Sequence, residues 1–237
     1  MIAGIAALVG VGGYALGARQ TAPVNPNDKA GVEAIVRAYV LSHPEIIPEA
    51  MDALKSREAT KAVVDNRSAI ETPFGNAWEG AANGDVTLVE FYDYACGYCR
   101  QSVADVARLL AEDKKLRVVY REMPVLGDSS VGAARISLAL ARSGNFGAFH
   151  RALYGGGHLS DAGINDAITK AGGNPAGVLA ASQSPAIEAE LAQVSGLQRA
   201  LNLSGTPSWV VGDKVLIGAV GYDELKGAIA EARKKKS

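Results

Sequence analysis

The sequence predicts an α/β fold in which a β-α-β half and a β-β-α half bracket a helical insertion, with a helical arm in front. Three observations carry this. A stretch over 85–92 rich in β-branched and aromatic residues runs into Cys96-Gly97-Tyr98-Cys99, then into helical periodicity, then into a second strand over 116–122. Further along, 208–211 and 214–218 meet across Gly212-Asp213 as a hairpin and lead into a last helix over 222–236. Between the halves lies a block of apolar helices broken by glycines.

Composition sets the bounds. The chain has 237 residues, 48% of them hydrophobic, enough to bury the core of one or two domains and to exclude disorder throughout. With 24 Lys+Arg against 25 Asp+Glu there is no basic excess, so nucleic acid is not expected as a partner. The basic run Arg233-Lys234-Lys235-Lys236 reads as a solvated helix end complementing the dipole.

From the front, residues 2–18 carry no charge and hold five glycines. As a helix they reach about 25 Å, marginal for a membrane span. No Lys or Arg precedes the run and no clean A-x-A follows it, so a cleaved signal peptide and a retained signal anchor both fit residues 1–20. Either reading places the chain outside the cytoplasm. Residues 21–83 form the arm and its linker. Val32, Ile35, Val36, Tyr39 and Val40 recur at helical spacing, His43-Pro44 ends that helix, and Ile46, Ile47, Ala50, Met51, Leu54 and Val63 continue in a second. Its apolar stripe needs cover, either its own domain or another subunit. Residues 72–84 read as a loop. The main domain takes 84–237, with the insertion at about 128–201. Its first helix, from Arg100 to Glu112, presents Val103, Val106, Ala107, Leu109 and Leu110 as an apolar face.

The chemistry sits on the two cysteines. A disulfide closing so short a loop stabilises by only about 2 kcal/mol, against about 3 kcal/mol for a loop of roughly fifteen residues, so this pair is a poor staple. Its placement suits exchange. At a strand-to-helix junction Cys96 meets unpaired N–H groups and the positive dipole end, which lower a thiol pKa toward neutral. Cys99, one turn further in, is placed to attack a mixed disulfide on Cys96. In the competing metal reading, His150 or His158 would complete a two-thiolate site, although neither a second Cys-x-x-Cys nor an H-x₃-H is present.

Glu90 lies on the buried strand, on the face of Leu88 and Tyr92, where a carboxylate is costly without work or a partner. If that face lies beneath the cysteines, a raised pKa would let it relay the Cys99 proton; an exposed edge position is the alternative. Asp93 and Tyr94 read as turn residues. In Gly205-Thr206-Pro207 the proline must sit at a strand start, and the residues leave a cis or a trans bond open.

Taken in this order, the elements resemble the exported DsbA-like thiol:disulfide oxidoreductases of the thioredoxin superfamily, over about residues 84–235. The arm, with Leu-Ser-His-Pro-Glu-Ile, is most similar to the ScsC and Com1 branch. The resemblance implies a thioredoxin-like fold without a cofactor or metal, in which Cys96 is the exposed nucleophile and Glu90 the buried acid. It makes Pro207 a cis-proline facing the cysteines, with Thr206, Gly97 and Tyr98 meeting an extended substrate. The partners it implies are unfolded or disulfide-bearing exported proteins and a membrane redox protein that recycles the pair. Some members of the branch form homo-oligomers through such an arm. Gly97-Tyr98 and a threonine before the proline are similar to DsbC-type isomerases. DsbA oxidases instead place Pro-His between the cysteines, so a weaker oxidant is expected. The arm does not resemble the β-rich dimerisation domain of DsbC. The expected function is formation or reshuffling of disulfides in the periplasm; the alternative is a metal-binding or chaperone protein using the same thiols.

Overall fold

The computed structural model describes residues 28–236. Asp28 opens α1 (Lys29–Ser42) by accepting from the Gly31 N–H at 3.1 Å, which satisfies one of the four free donors at a helix start. The His43 N–H closes it on the Tyr39 carbonyl at 2.8 Å, and α2 (Ile46–Glu71) begins past Pro44. The chain divides into two units, one ending at Met51 and the other starting at Asp52. In the first, α1 buries no residue, and Ile35, Val36 and Tyr39 are each more than half exposed.

The second unit is built on a five-stranded sheet of β1 (Trp78–Gly80), β2 (Val86–Tyr92), β3 (Leu116–Glu122), β4 (Ser208–Val211) and β5 (Lys214–Ile217). Spatially the order is β1-β3-β2-β4-β5, with β2 and β3 parallel and every other pair antiparallel. A helix, α3 (Gly97–Glu112), joins the parallel pair, and α9 (Tyr222–Lys236) closes the chain. The insertion is α4 (Asp128–Ser143), α5 (Phe146–Gly155), α6 (Asp161–Lys170), α7 (Pro175–Ala181) and α8 (Pro185–Ala200).

Alternation along the central strands divides the core. Leu88, Tyr92, Val118 and Tyr120 face α3, α5 and α9, among Val106, Leu109, Phe149, Leu225 and Ile229. Val89, Phe91, Val119 and Val210 face the other way, onto Val63 and Ile70 of α2 and Val194 and Leu197 of α8. Burial on both faces explains why β2 is apolar apart from Thr87 and Glu90, while β3 buries Arg121 and Glu122 beside its apolar residues. At roughly 25 cal/mol per Å² of apolar surface, such a double layer supplies the main stabilisation of the domain.

Three expectations are corrected. Residues 72–84 are not all loop, since β1 pairs with β3 at Trp78↔Val119; three residues are too few to show a period. Gly80 ends that strand at φ +90°, where a Cβ would collide with the Leu116 carbonyl. Arg233 is no free member of a solvated run. It donates to both Asp85 oxygens at 2.8 and 2.7 Å and to Asp113 at 2.8 Å, tying α9 to the loops before β2 and after α3. Ala107, expected on the apolar face of α3, is exposed. Among the described residues no helix is long and apolar enough to cross a membrane, and the signal segment expected at 2–18 lies outside them.

Candidate active site

Each cysteine is placed by the backbone around it. Strand β2 ends at Tyr92, and the turn that follows is held by the buried Asp93. Its carboxylate accepts from the Ala95 N–H at 2.8 Å and, from the β3–α4 loop, from Val125 at 2.8 Å and Leu126 at 3.0 Å. The Cys96 N–H donates to the Asp93 carbonyl at 3.0 Å, which delivers Cys96 to the N-cap of α3. There Cys96 Sγ accepts from the Cys99 N–H at 3.4 Å. A sulfur thus occupies the place where an N-cap oxygen would meet the unpaired donors of the first turn.

Gly97 and Tyr98 stand on the first turn, exposed, and a Cβ at Gly97 would meet nothing within 4 Å. The space beside Cys96 is open. Cys96 itself is not the exposed nucleophile that the resemblance implies. Its relative accessibility is 6%, against 0% for Cys99, because Thr206 closes over it. The Cys96 thiol donates to the Thr206 carbonyl at 3.3 Å. Thr206-Pro207 is a cis peptide, and its loop is fixed by Gly218 N–H to Pro207 O at 2.8 Å and Ser208 Oγ to Gly205 O at 2.6 Å. Both cysteines are free thiols.

Glu90 falls beneath this pair, 3% exposed, with Tyr120 of β3 and Trp209 of β4 as its strand neighbours. The edge position is thereby ruled out. Burial, reinforced by the charge of Cys96, pushes the Glu90 carboxyl up to about 8. Burial and the Glu90 charge push the Cys99 thiol up as well. The arrangement can therefore trade one proton between an inner sulfur and a carboxyl that titrates near neutral pH.

A polar network that the sequence reading missed lies alongside. Tyr94 OH lies 3.0 Å from Ser137 Oγ and 3.2 Å from His150 Nδ1, and Tyr92 OH donates to Glu122. Tyr154 OH donates to the Asp93 carbonyl at 3.0 Å. Burial pushes Glu122 well above the usual carboxylate range and drops His150 to about 3, so the imidazole stays uncharged at neutral pH. Glu122 lies on a strand that alternation marks as buried, the same signal that singled out Glu90. His150 belongs to this network, not to a metal site; among the described residues no group of three His, Cys, Asp or Glu lies close enough to hold an ion.

A dithiol at a helix N-terminus, a cis-proline loop against its outer sulfur and a buried acid beneath define a thioredoxin-fold thiol–disulfide oxidoreductase. Residues 87–230 match the DSBA-like thioredoxin domain, and the chain belongs to that family. Residues 28–61 match the N-terminal domain of copper resistance protein ScsC. A thioredoxin-like oxidoreductase from Silicibacter pomeroyi is 38% identical with a TM-score of 0.68, covering 71% of this chain and 98% of its own. A linker-deletion mutant of Proteus mirabilis ScsC is 27% identical with a TM-score of 0.73, covering 92% and 100%. A periplasmic thioredoxin-like protein from Salmonella enterica serovar Typhimurium is 29% identical with a TM-score of 0.65, covering 71% and 95%. No curated protein matches the sequence.

Proposed function

We propose that the protein works in the periplasm, forming or reshuffling disulfides in unfolded or disulfide-bearing exported proteins. A membrane redox protein would recycle the cysteine pair, and the exposed apolar residues of the arm would join copies of the chain. The observation that carries this reading is the placement of Cys96 Sγ, between the first turn of α3 and the Thr206 carbonyl. A substrate sulfur arriving over Gly97 would meet Cys96 first, and the substrate backbone would take the Thr206 carbonyl. Cys99 then displaces the captured chain. Periplasmic placement is supported by the uncharged run over residues 2–18 and by the likeness to the periplasmic Salmonella protein.

The decisive experiment is refolding of scrambled, disulfide-bonded ribonuclease. Cys96→Ala should abolish activity and Cys99→Ala should trap mixed disulfides; activity that survives both changes overturns the reading. The equilibrium potential against glutathione separates the directions, a value near about −120 mV marking an oxidase and one of about −180 mV or below an isomerase or reductase.

A further inference from the structure

The cysteine motif is fastened at both ends by one residue of the helical insertion. Tyr154, in the last turn of α5, is 4% exposed. Its hydroxyl donates to the Asp93 carbonyl at 3.0 Å, the same oxygen that takes the Cys96 N–H at 3.0 Å. Its own carbonyl accepts from Arg100 Nη1 at 2.7 Å, one residue past Cys99. That oxygen lies where helix carbonyls lack intrahelical partners and where a cation suits the dipole. The Arg100 guanidinium also stands 6.0 Å from the Tyr154 ring centroid. The ring is held without the hydroxyl, 5.0 Å from Tyr94 and 4.9 Å from His150, inside the core cluster that contains both cysteines.

We propose that Tyr154 is a positioning residue for exchange, whose hydroxyl holds Cys96 at the helix start and thereby shifts the cysteine pair toward its dithiol form. This deepens the exchange reading above and rests on it. The helical insertion then sets the redox poise of a motif that belongs to the thioredoxin frame.

The Asp93 carbonyl joins the turn after β2 to α3, because the Cys96 N–H has it as acceptor. In the dithiol this bond, with the 3.4 Å contact from the Cys99 N–H to Cys96 Sγ, keeps the outer sulfur on the free donors of the first turn. Those donors favour a thiolate, so whatever holds the sulfur there favours the reduced state. A disulfide needs less help. Its sulfur–sulfur bond ties Cys96 to Cys99 covalently and carries no charge for the donors to stabilise. The hydroxyl therefore contributes more to the dithiol than to the disulfide. Asp93 is 1% exposed, so solvent does not take the place of the hydroxyl on its carbonyl. Asp93 reaches the inner sulfur as well: burial pushes the Cys99 thiol up, and a backbone hydrogen bond from Asp93 works against it.

The test equilibrates the full-length protein with glutathione. Two glutathione thiols reduce the Cys96–Cys99 disulfide: the protein's sulfur–sulfur bond breaks, that of glutathione disulfide forms, and two electrons and two protons pass to the cysteines. Tyr154→Phe deletes the hydroxyl and keeps the ring. The ratio [GSH]²/[GSSG] at half reduction should rise about fivefold, the size of one hydrogen bond lost from one redox form. In urea the reduced variant should lose more stability than the oxidised one, as linkage between folding and reduction requires. Tyr222→Phe is the control. It removes a hydroxyl bonded to Glu112 at the other end of α3 and should leave the ratio unchanged. Replacing Tyr154 by fluorotyrosine keeps ring and hydroxyl but makes the O–H a stronger donor, so the ratio should fall; this protein carries the test where Tyr154→Phe does not fold. An unmoved ratio in Tyr154→Phe overturns the proposal even when both redox forms lose stability equally, since equal loss is what packing alone would give. A ratio that stays or rises with fluorotyrosine overturns it too, as does a rise of the same size in Tyr222→Phe. A wild-type pair that reaches no equilibrium with glutathione overturns the exchange reading and this proposal with it.

Discussion

Cys96 Sγ lies 3.3 Å from the carbonyl oxygen of Thr206, a residue 110 positions away, and the thiol is the donor. The bond exists only while the sulfur keeps its proton. A thiolate has nothing to donate and faces the negative end of the carbonyl dipole, and a disulfide has no S–H at all. The carbonyl is therefore released when Cys96 ionises or is oxidised, and becomes free for a substrate N–H. In protein labelled at the Thr206 carbonyl carbon, the ¹³C shift should titrate together with the ultraviolet thiolate absorbance. A shift that stays constant across that titration would contradict the bond.

The two sulfurs should also separate chemically. Cys99 is wholly inaccessible and its thiol is pushed up by burial and by Glu90, whereas Cys96 retains a sliver of exposure beside the open space at Gly97. Only thiolate that can be reached reacts. Iodoacetamide added to the native reduced protein at neutral pH should modify Cys96 at least about tenfold faster than Cys99, read by peptide mass mapping. Denaturant should erase the difference.

Much of this site was legible because strong local signals happened to coincide with tertiary ones. Cys-x-x-Cys after an apolar strand placed Cys96 at a helix start, and alternation put Glu90 with Leu88 and Tyr92, where it is found. The burial of Cys96 was not legible, because the residue that covers it, Thr206, arrives from the far end of the insertion. Nor was Tyr154, an aromatic residue on an apolar helix, which gains meaning only from Asp93 and Arg100. Asp93 looked like a turn former, and its bonds to Val125 and Leu126 depend on a loop that no pattern ties to it.

That loop connection makes Asp93 the next residue to test. Three backbone N–H groups converge on a carboxylate that is 1% exposed, and removal leaves them without an acceptor. Bonds to a charged group contribute about 1.5–3 kcal/mol each before non-additivity. Asp93→Ala should lower stability by about 3 kcal/mol or more, and Asp93→Asn by less, since its amide keeps one accepting oxygen. Urea unfolding measures both, and equal stability of Asp93→Ala and wild type would show that the loop is held by other means.

Glu90 predicts a pH dependence of stability whose sign is fixed by the direction of its shift. Its folded pKa of about 8 lies above the ordinary value of 4.5. Below the ordinary value the carboxyl is neutral whether folded or unfolded and carries no penalty. As pH rises toward 8 the unfolded chain sheds the proton first, so the folded state loses stability across that window and no further above it. The shift corresponds to a loss on the order of 3–5 kcal/mol. Glu90→Gln should therefore match wild type near pH 4 and exceed it progressively up to about pH 8 in urea titrations of the reduced protein. Parallel curves for the two proteins would place Glu90 in water.

The buried pair of Arg121 and Glu190 makes a prediction that separates charge from capping. Arg121 is 1% exposed and lies 3.1 Å from Glu190, yet neither Arg121 Nε nor Glu190 Oε1 has a hydrogen-bond partner, so the contact is an ion pair of poor alignment. Burial lowers the Arg121 pKa and raises that of Glu190, and each charge opposes the effect on its partner. The guanidinium has further work. It donates to the Thr72 and Ala69 carbonyls at 2.9 and 2.6 Å, satisfying acceptors at and just beyond the end of α2, and to Gln193 at 3.2 Å. Losing Arg121 thus strands a carboxylate and two carbonyls, whereas losing Glu190 leaves the cation with three acceptors. Arg121→Met should cost about 3–5 kcal/mol and Glu190→Gln about 1 kcal/mol. Adding Glu190→Leu to Arg121→Met should recover only part of the loss, because the end of α2 stays uncapped. Full recovery in the double variant would mean that the ion pair, and not the cap, is what Arg121 supplies.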